Sequence, residues 1–204
     1  MCNNDFNIRD VIGDLSKERR IFTSEADFQL ALAQAIAKKY TQAKVRLEYV
    51  PSFDSSIHID ILVLWKYGEG VKWIPIEVKY KTKPLKEYTD DDGCDYSLKE
   101  QGAKDIGCYL YLKDIERIES IMYKIGNVFK CGYTLMLTND MSYTKAPRNH
   151  GGSHQNCTYA EFSIHQNNTV NSGVHKWAEN SAVGKKNGYN KHINLSGSYK
   201  CDWC

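Results

Sequence analysis

No run of apolar residues in this chain approaches the roughly 18 needed to cross a bilayer as a helix, so no membrane role is expected. The opening Met1-Cys2-Asn3-Asn4-Asp5 is polar and does not read as a signal peptide. An excess of one charge is also missing. Twenty-seven Lys and Arg face 25 Asp and Glu, for a net charge of +2. Any nucleic-acid contact must then come from a local basic surface, not from global basicity. Internal repeats and low-complexity tracts are absent. The seven cysteines, at positions 2, 94, 108, 131, 157, 201 and 204, are scattered and odd in number. That favours reduced thiols in a cytoplasmic protein.

Two hundred and four residues suffice for one large domain with a proper core. The periodicity predicts a short helix over residues 5–15. A second helix runs from Thr23-Ser24-Glu25-Ala26-Asp27, with a hydroxyl cap and acids in the first turn, to Tyr40. Lys44 to Val50 reads as a strand stopped by Pro51. Residues 81–95 read as a polar loop, Ser97 to Lys124 as a long helix weakened by Gly102 and Gly107, and Phe129 to Leu137 as a strand. Beyond Asn139 the periodicity weakens, with strands expected at Thr158–His165 and Ile193–Trp203. The fold class is α/β: a mixed sheet flanked by helices, with additional C-terminal strands. Residues 1–204 are read as a single domain, with a core over about 20–140 and a β-rich extension over about 141–204 that is too poor in apolar residues for its own core.

The most informative segments are Ile57-His58-Ile59-Asp60-Ile61-Leu62-Val63-Leu64-Trp65 and Val71-Lys72-Trp73-Ile74-Pro75-Ile76-Glu77-Val78-Lys79-Tyr80. Both are rich in β-branched and aromatic residues, and Tyr67-Gly68-Glu69-Gly70 between them suits a hairpin. With that turn at the centre, residues whose numbers sum to 137 face each other. Asp60 then opposes Glu77, and His58 opposes Lys79. A one-residue slip would put core residues opposite the charged set. Pro75 removes a ladder donor, and a bulge there would cause such a slip.

Carboxylates directly opposed across strands repel, so the pair makes sense around a cation. Two hard oxygen ligands suit Mg²⁺. Lys79, two residues beyond Glu77, points to the same face. Two carboxylates, a metal ion and an ammonium group are equipment for phosphodiester hydrolysis. The plain alternative is a solvated edge with an ordinary salt bridge.

The order helix, three strands, helix, strand, together with Asp60 and Glu77-Val78-Lys79, resembles the PD-(D/E)xK nuclease superfamily, the restriction-endonuclease-like fold. The residue before Asp60 is Ile59, so the proline of the motif is absent. Glu25 matches the glutamate that the family often carries on its first core helix. Gln101 matches a glutamine that some branches place after the motif, although a polar helix-surface residue is an equal reading. The resemblance implies that Asp60, Glu77 and the Val78 carbonyl hold Mg²⁺, for which Mn²⁺ can substitute, with Glu25 assisting. It implies that Lys79 orients water or stabilises charge, and that Gln101 contacts the water or a phosphate. The expected activity is endonucleolytic cleavage of nucleic acid, DNA first, in restriction or genome defence. Double-strand cutting would favour a homodimer. The alternative is a catalytically inactive nucleic-acid-binding module of the same fold.

Other features compete. His154, Cys157, Cys201 and Cys204 have spacings that allow a Cys₃His zinc site. Arg148 and His150 lie in a Gly-rich loop able to reach a phosphate. Asp90-Asp91-Asp92 lacks the rest of a calcium loop and reads as solvated surface. Two basic runs stand out, Lys79, Lys81, Lys83 and Lys86, and Lys185, Lys186 and Lys191 around Asn187-Gly188-Tyr189. For each run alone, solubility is the ordinary reading.

Overall fold

A computed structural model describes residues 5–147 and 157–204. Its elements are α1 (Ile8–Glu18), α2 (Glu25–Lys39), β1 (Ala43–Tyr49), β2 (Ile59–Tyr67), β3 (Gly70–Lys81), β4 (Leu85–Thr89), β5 (Asp95–Leu98), α3 (Lys104–Ile125) and β6 (Tyr133–Thr138), followed by the short strands β7 (Thr169–Val170), β8 (Gly173–His175), β9 (Ile193–Leu195) and β10 (Tyr199–Lys200). The chain is a mixed α/β protein whose main sheet has the order β1-β2-β3-β6. Strands β1, β2 and β3 are antiparallel neighbours, and a parallel bridge joins Trp73 to Phe129 just ahead of β6. Two compact units are present, Met1–Tyr80 with Pro84–Lys99 and Ile121–Leu137, and Lys81–Lys83 with Glu100–Ser120 and Thr138–Cys204.

In the first unit the hairpin pairs as the alternation requires. All seven pairs, from Ile61↔Ile76 to Tyr67↔Gly70, obey the sum of 137. Pro75 causes no slip and sits opposite Leu62. One sheet face presents Ile61, Val63, Trp65, Ile74, Ile76, Val78 and Tyr80 to Phe28, Leu32 and Ile36 of α2 and Val11 and Leu15 of α1. Leu62, with Leu64 and Trp73 beside it, packs with Ile121 and Ile125 at the end of α3. The hairpin is thus apolar on both sides, which explains its near-continuous hydrophobic run.

Ser24 caps α2 by accepting from the Asp27 amide at 3.1 Å. Asp27 in turn takes both arms of the Arg19 guanidinium, at 2.8 and 2.6 Å, and the Thr23 amide and hydroxyl. This network joins the end of α1 to the start of α2 and fixes the entry of the helix that carries Glu25.

Four expectations need correction. The polar loop 81–95 contains the hairpin β4–β5. Its turn is closed by Asp90, whose carboxylate accepts from the Asp92 and Cys94 amides and the Tyr96 hydroxyl, with Gly93 at φ +80°. Helix α3 starts at Lys104, not near Ser97, because Gly102 is left-handed at φ +76° and interrupts any earlier helical turn. Thr158–His165 is not a strand: it contains a 3₁₀ turn at Ala160–Phe162. Ile193–Trp203 holds two short strands, β9 and β10, where one long strand was expected.

The second unit has apolar residues of its own to bury. Tyr109, Leu112, Phe162, Ile164, Ile193 and Leu195 are all 0–2% exposed. The Glu119 carboxylate accepts from the Ser196 and Gly197 amides at 2.8 Å and from the Tyr199 hydroxyl at 2.5 Å, which fixes the turn between β9 and β10.

Candidate functional site

The acids meet at the end of the sheet opposite the Tyr67–Gly70 turn. The β2–β3 register, continued by one residue, sets Asp60 against Glu77. Asp60 also reaches across physically, since its Oδ2 accepts the Val78 amide at 2.8 Å. Glu77 is fully buried, at 0% exposure. Lys79, two positions on, is half-buried, and its Nζ donates to the Val78 carbonyl at 3.3 Å. From the first turn of α2, Glu25 Oε2 accepts the Tyr80 amide at 2.8 Å. Glu25, Asp60, Glu77 and Lys79 are therefore all brought to one stretch of β3, within the first unit.

Two further residues belong here that no sequence motif singles out. Glu48 lies between Leu47 and Tyr49, which pair with Ile61 and Ile59, so the β1–β2 register puts Glu48 opposite Asp60. Gln29, one helical turn after Glu25, donates from Nε2 to Glu48 Oε1 at 2.7 Å and to the Asp60 carbonyl at 2.6 Å. The result is a row of three acids, Glu48, Asp60 and Glu77, on three adjacent strands, bordered by Glu25. In the sequence, Gln29 shows only as a polar residue on the core-facing stripe of α2, and Glu48 becomes conspicuous only through the β1–β2 register. Glu48 also has a left-handed backbone, φ +49°. That costs a non-glycine residue on the order of 1–2 kcal/mol and persists where surrounding contacts impose it.

The electrostatics follow from the geometry. Burial pushes the Asp60 carboxyl above its ordinary pKa, and the charges of Glu48 and Glu25 push it the same way; the Val78 amide and the Lys79 ammonium pull against them. Asp60 thus feels two other carboxylates of the group. The donor set is all oxygen, which fits a hard divalent cation and no soft one. As placed, no group of three acidic, histidine or cysteine side chains among the described residues forms a ready-made metal site.

Gln101 lies in the second unit, ahead of α3 and not on it, and its amide donates to the Thr82 carbonyl at 2.9 Å. His58 is exposed and precedes β2. Lys83 forms an ion pair with Asp140 at 3.1 Å. Of the zinc quartet, His154 lies outside the described residues, as do Arg148 and His150. Cys157 is buried, Cys201 is half-buried and Cys204 is exposed, and the six described cysteines are all free thiols. Burial pushes the Cys201 thiol up to about 11, so it stays protonated.

No helix among the described residues is long and apolar enough to cross a membrane. Compared with protein-family models, with curated proteins and with solved structures, the chain finds no match.

Proposed function

We propose that this chain is a Mg²⁺-dependent phosphodiester hydrolase of the restriction-endonuclease-like class, acting on nucleic acid and on DNA first. The observation that carries the reading is the Asp60 carboxylate accepting the Val78 amide. It ties the acid of β2 to Glu77-Val78-Lys79 of β3, which supports the resemblance to the PD-(D/E)xK motif. The order α2, three antiparallel strands, α3 and β6 supports the same class.

Asp60 and Glu77 would hold the ion with the Val78 carbonyl, and Glu25 would assist from the helix. When bound, Mg²⁺ supplies a polarised phosphate and a water of lowered pKa. The chain does the rest. Lys79 presents an ammonium group beside Val78, where it stabilises negative charge developing on the phosphate. Gln29 keeps the Asp60 main chain and the Glu48 carboxylate in fixed relation. The buried face behind Glu77 excludes water and strengthens each of these interactions.

A second reading is a module of the same fold that binds nucleic acid without cutting it. Incubation with supercoiled plasmid in Mg²⁺, Mn²⁺ or EDTA separates the two. The hydrolase reading expects nicking or linearisation with either metal, none in EDTA, and none from Asp60→Ala or Lys79→Ala variants whose folded circular dichroism is intact. Cleavage retained by both variants rejects the assignment.

A further inference from the structure

The second unit carries a surface that the hydrolytic site does not use. Between β8 and β9 the chain runs from Lys176 to His192 without a helix or strand. Connections of this length with no secondary structure of their own are uncommon and usually functional. This one is anchored from within. Trp177 stacks on Tyr109, with ring centroids 5.5 Å apart, and meets Phe162 edge-on at 4.8 Å. Its Nε1 donates to the Tyr189 carbonyl at 2.9 Å, and the Tyr109 hydroxyl donates to the Lys191 carbonyl at 3.1 Å. Gly184 lies so close that a β-carbon there would stand 2.6 Å from Trp177 Cβ. The loop is thus held at Gly184, Tyr189 and Lys191 against one aromatic cluster.

Its outward side is basic. Lys176, Lys185, Lys186 and Lys191 are exposed, and Lys200 follows on β10. Between 176 and 200 the only acid is Glu179. None of the five lysines takes part in an ion pair with a described residue, whereas Lys83 and Arg117 of the same unit are paired with Asp140 and Asp114. Asn187, Asn190 and His192 add further hydrogen-bonding side chains on the same exposed stretch. Trp177 is turned inward, only 8% exposed, and Tyr189 is half-buried, so the loop offers no large apolar side chain for insertion into a bilayer.

We infer that the loop Lys176–His192 is a docking surface for the phosphate backbone of a nucleic-acid duplex. Spaced lysines with amide donors, on a scaffold ordered beforehand, suit contacts that position a duplex without reading its bases. The inference rests on the hydrolase reading for its choice of partner, but its test does not depend on cleavage.

Binding of a short fluorescent DNA duplex is measured by anisotropy in EDTA, with the full chain, over roughly 50–200 mM salt. Lys185→Ala/Lys186→Ala/Lys191→Ala is expected to weaken binding by tenfold or more at the low-salt end. It should also reduce the slope of log affinity against log salt by about 2.7, at roughly 0.9 per phosphate contact. Lys17→Ala/Lys44→Ala/Lys66→Ala, with the same loss of charge on the first unit, is expected to change affinity by less than threefold. Trp177→Phe keeps every charge but removes the bond to Tyr189, and should weaken binding without altering the melting temperature by more than a few degrees. Equal losses in the two lysine triples would overturn the inference, because the effect would then be general charge. So would wild-type affinity in the loop triple, or loop-dependent binding to phosphatidylserine vesicles in a protein that ignores the duplex. If the wild-type chain binds through the loop yet never cuts plasmid, the hydrolase reading fails and the docking surface stands.

Discussion

Replacing Gln29 by methionine tests whether the bridge from α2 to the sheet fixes the acidic row. The side chains are nearly equal in volume, so the change removes two hydrogen bonds and leaves little cavity. One bond, 2.6 Å long, satisfies the Asp60 carbonyl. Gln29 is only 7% exposed, so water does not readily take over that acceptor, and an unsatisfied buried carbonyl costs about 1–3 kcal/mol. The other bond, 2.7 Å, is to a carboxylate, but Glu48 is exposed and rehydrates, which limits its loss to about 1 kcal/mol. Burying a thioether in place of an amide returns about 1 kcal/mol. The net expectation is a loss of about 1–3 kcal/mol. At about 2–4 °C per kcal/mol for a chain of this size, the melting temperature should fall by roughly 2–12 °C. Urea unfolding followed by circular dichroism, at unchanged slope, provides the free energy directly. A midpoint that stays put would refute the reasoning. Gln29→Glu gives an internal check on sign. It sets a carboxylate against Glu48, so its penalty should be largest at pH 7 and shrink as pH falls through the carboxylate range, where protonation of either partner relieves the repulsion. A penalty independent of pH would count against the bridge as described.

Asp60→Asn should stabilise the fold at pH 7 by about 0.5–2 kcal/mol while abolishing Mg²⁺-dependent cleavage. The folded state raises the pKa of Asp60, so it binds that proton more tightly than the unfolded chain does. The penalty is absent below the unfolded pKa and complete above the folded one, so the advantage of the variant should vanish near pH 3; melts at the two pH values check this. Asp27 behaves oppositely. Burial opposes its ionisation, but the Arg19 fork and the Thr23 amide outweigh burial and hold its pKa below the ordinary carboxylate value. Its contribution is therefore present above the unfolded pKa and is lost as pH falls through the folded one. The destabilisation caused by Asp27→Asn should be constant from pH 7 to 5 and disappear only in stronger acid. Gly107→Ala adds a β-carbon that clashes with the buried Tyr143 hydroxyl oxygen. Overpacking of about 1–3 kcal/mol should exceed the roughly 1 kcal/mol gained in helix propensity; Tyr143→Phe in the same chain should recover part of the loss in melting temperature.

The hairpin was legible because several signals agreed. The β-branched runs, the Gly-containing turn and the apolar alternation each demanded the register that the structure has, and Pro75 could not override them. The cap at Ser24 was legible for the same reason. The hairpin β4–β5 was not, because its strands are short and mostly exposed, and Asp90–Gly93 read as acid surface instead of a turn closed by an aspartate. The start of α3 lies later than the composition suggests because a favourable helical composition hides one left-handed glycine, Gly102. Gln29 and Glu48 escaped for a different reason. A single polar residue in an apolar stripe, and an acid on an exposed strand, are each ordinary. They become informative only when the β1–β2 register puts them beside Asp60. The short C-terminal strands depend on Glu119, some 77 residues away from the turn it fixes, and no local pattern announces such a partner.

The row of acids is a poor choice for stability alone. One step along the same three strands, the equivalent row is Leu47, Ile61 and Ile76, all apolar. The sheet passes from that row to Glu48, Asp60 and Glu77 in the space of one residue, about 3.4 Å. Like charges opposed across strands destabilise by several tenths of a kcal/mol or more for each pair, and the left-handed backbone at Glu48 adds to the cost. A structural role would predict that neutral replacements are tolerated and gain nothing further. A cation-binding role predicts two linked effects. Glu48→Gln/Asp60→Asn/Glu77→Gln should melt at a higher temperature than the parent in EDTA. It should also lose the rise in melting temperature that added Mg²⁺ gives the parent, since an ion that binds only the folded state stabilises it by mass action. A parent insensitive to millimolar Mg²⁺, or a variant that gains no stability, would show that repulsion in this row is relieved by some other means and would remove the reason for placing an ion there.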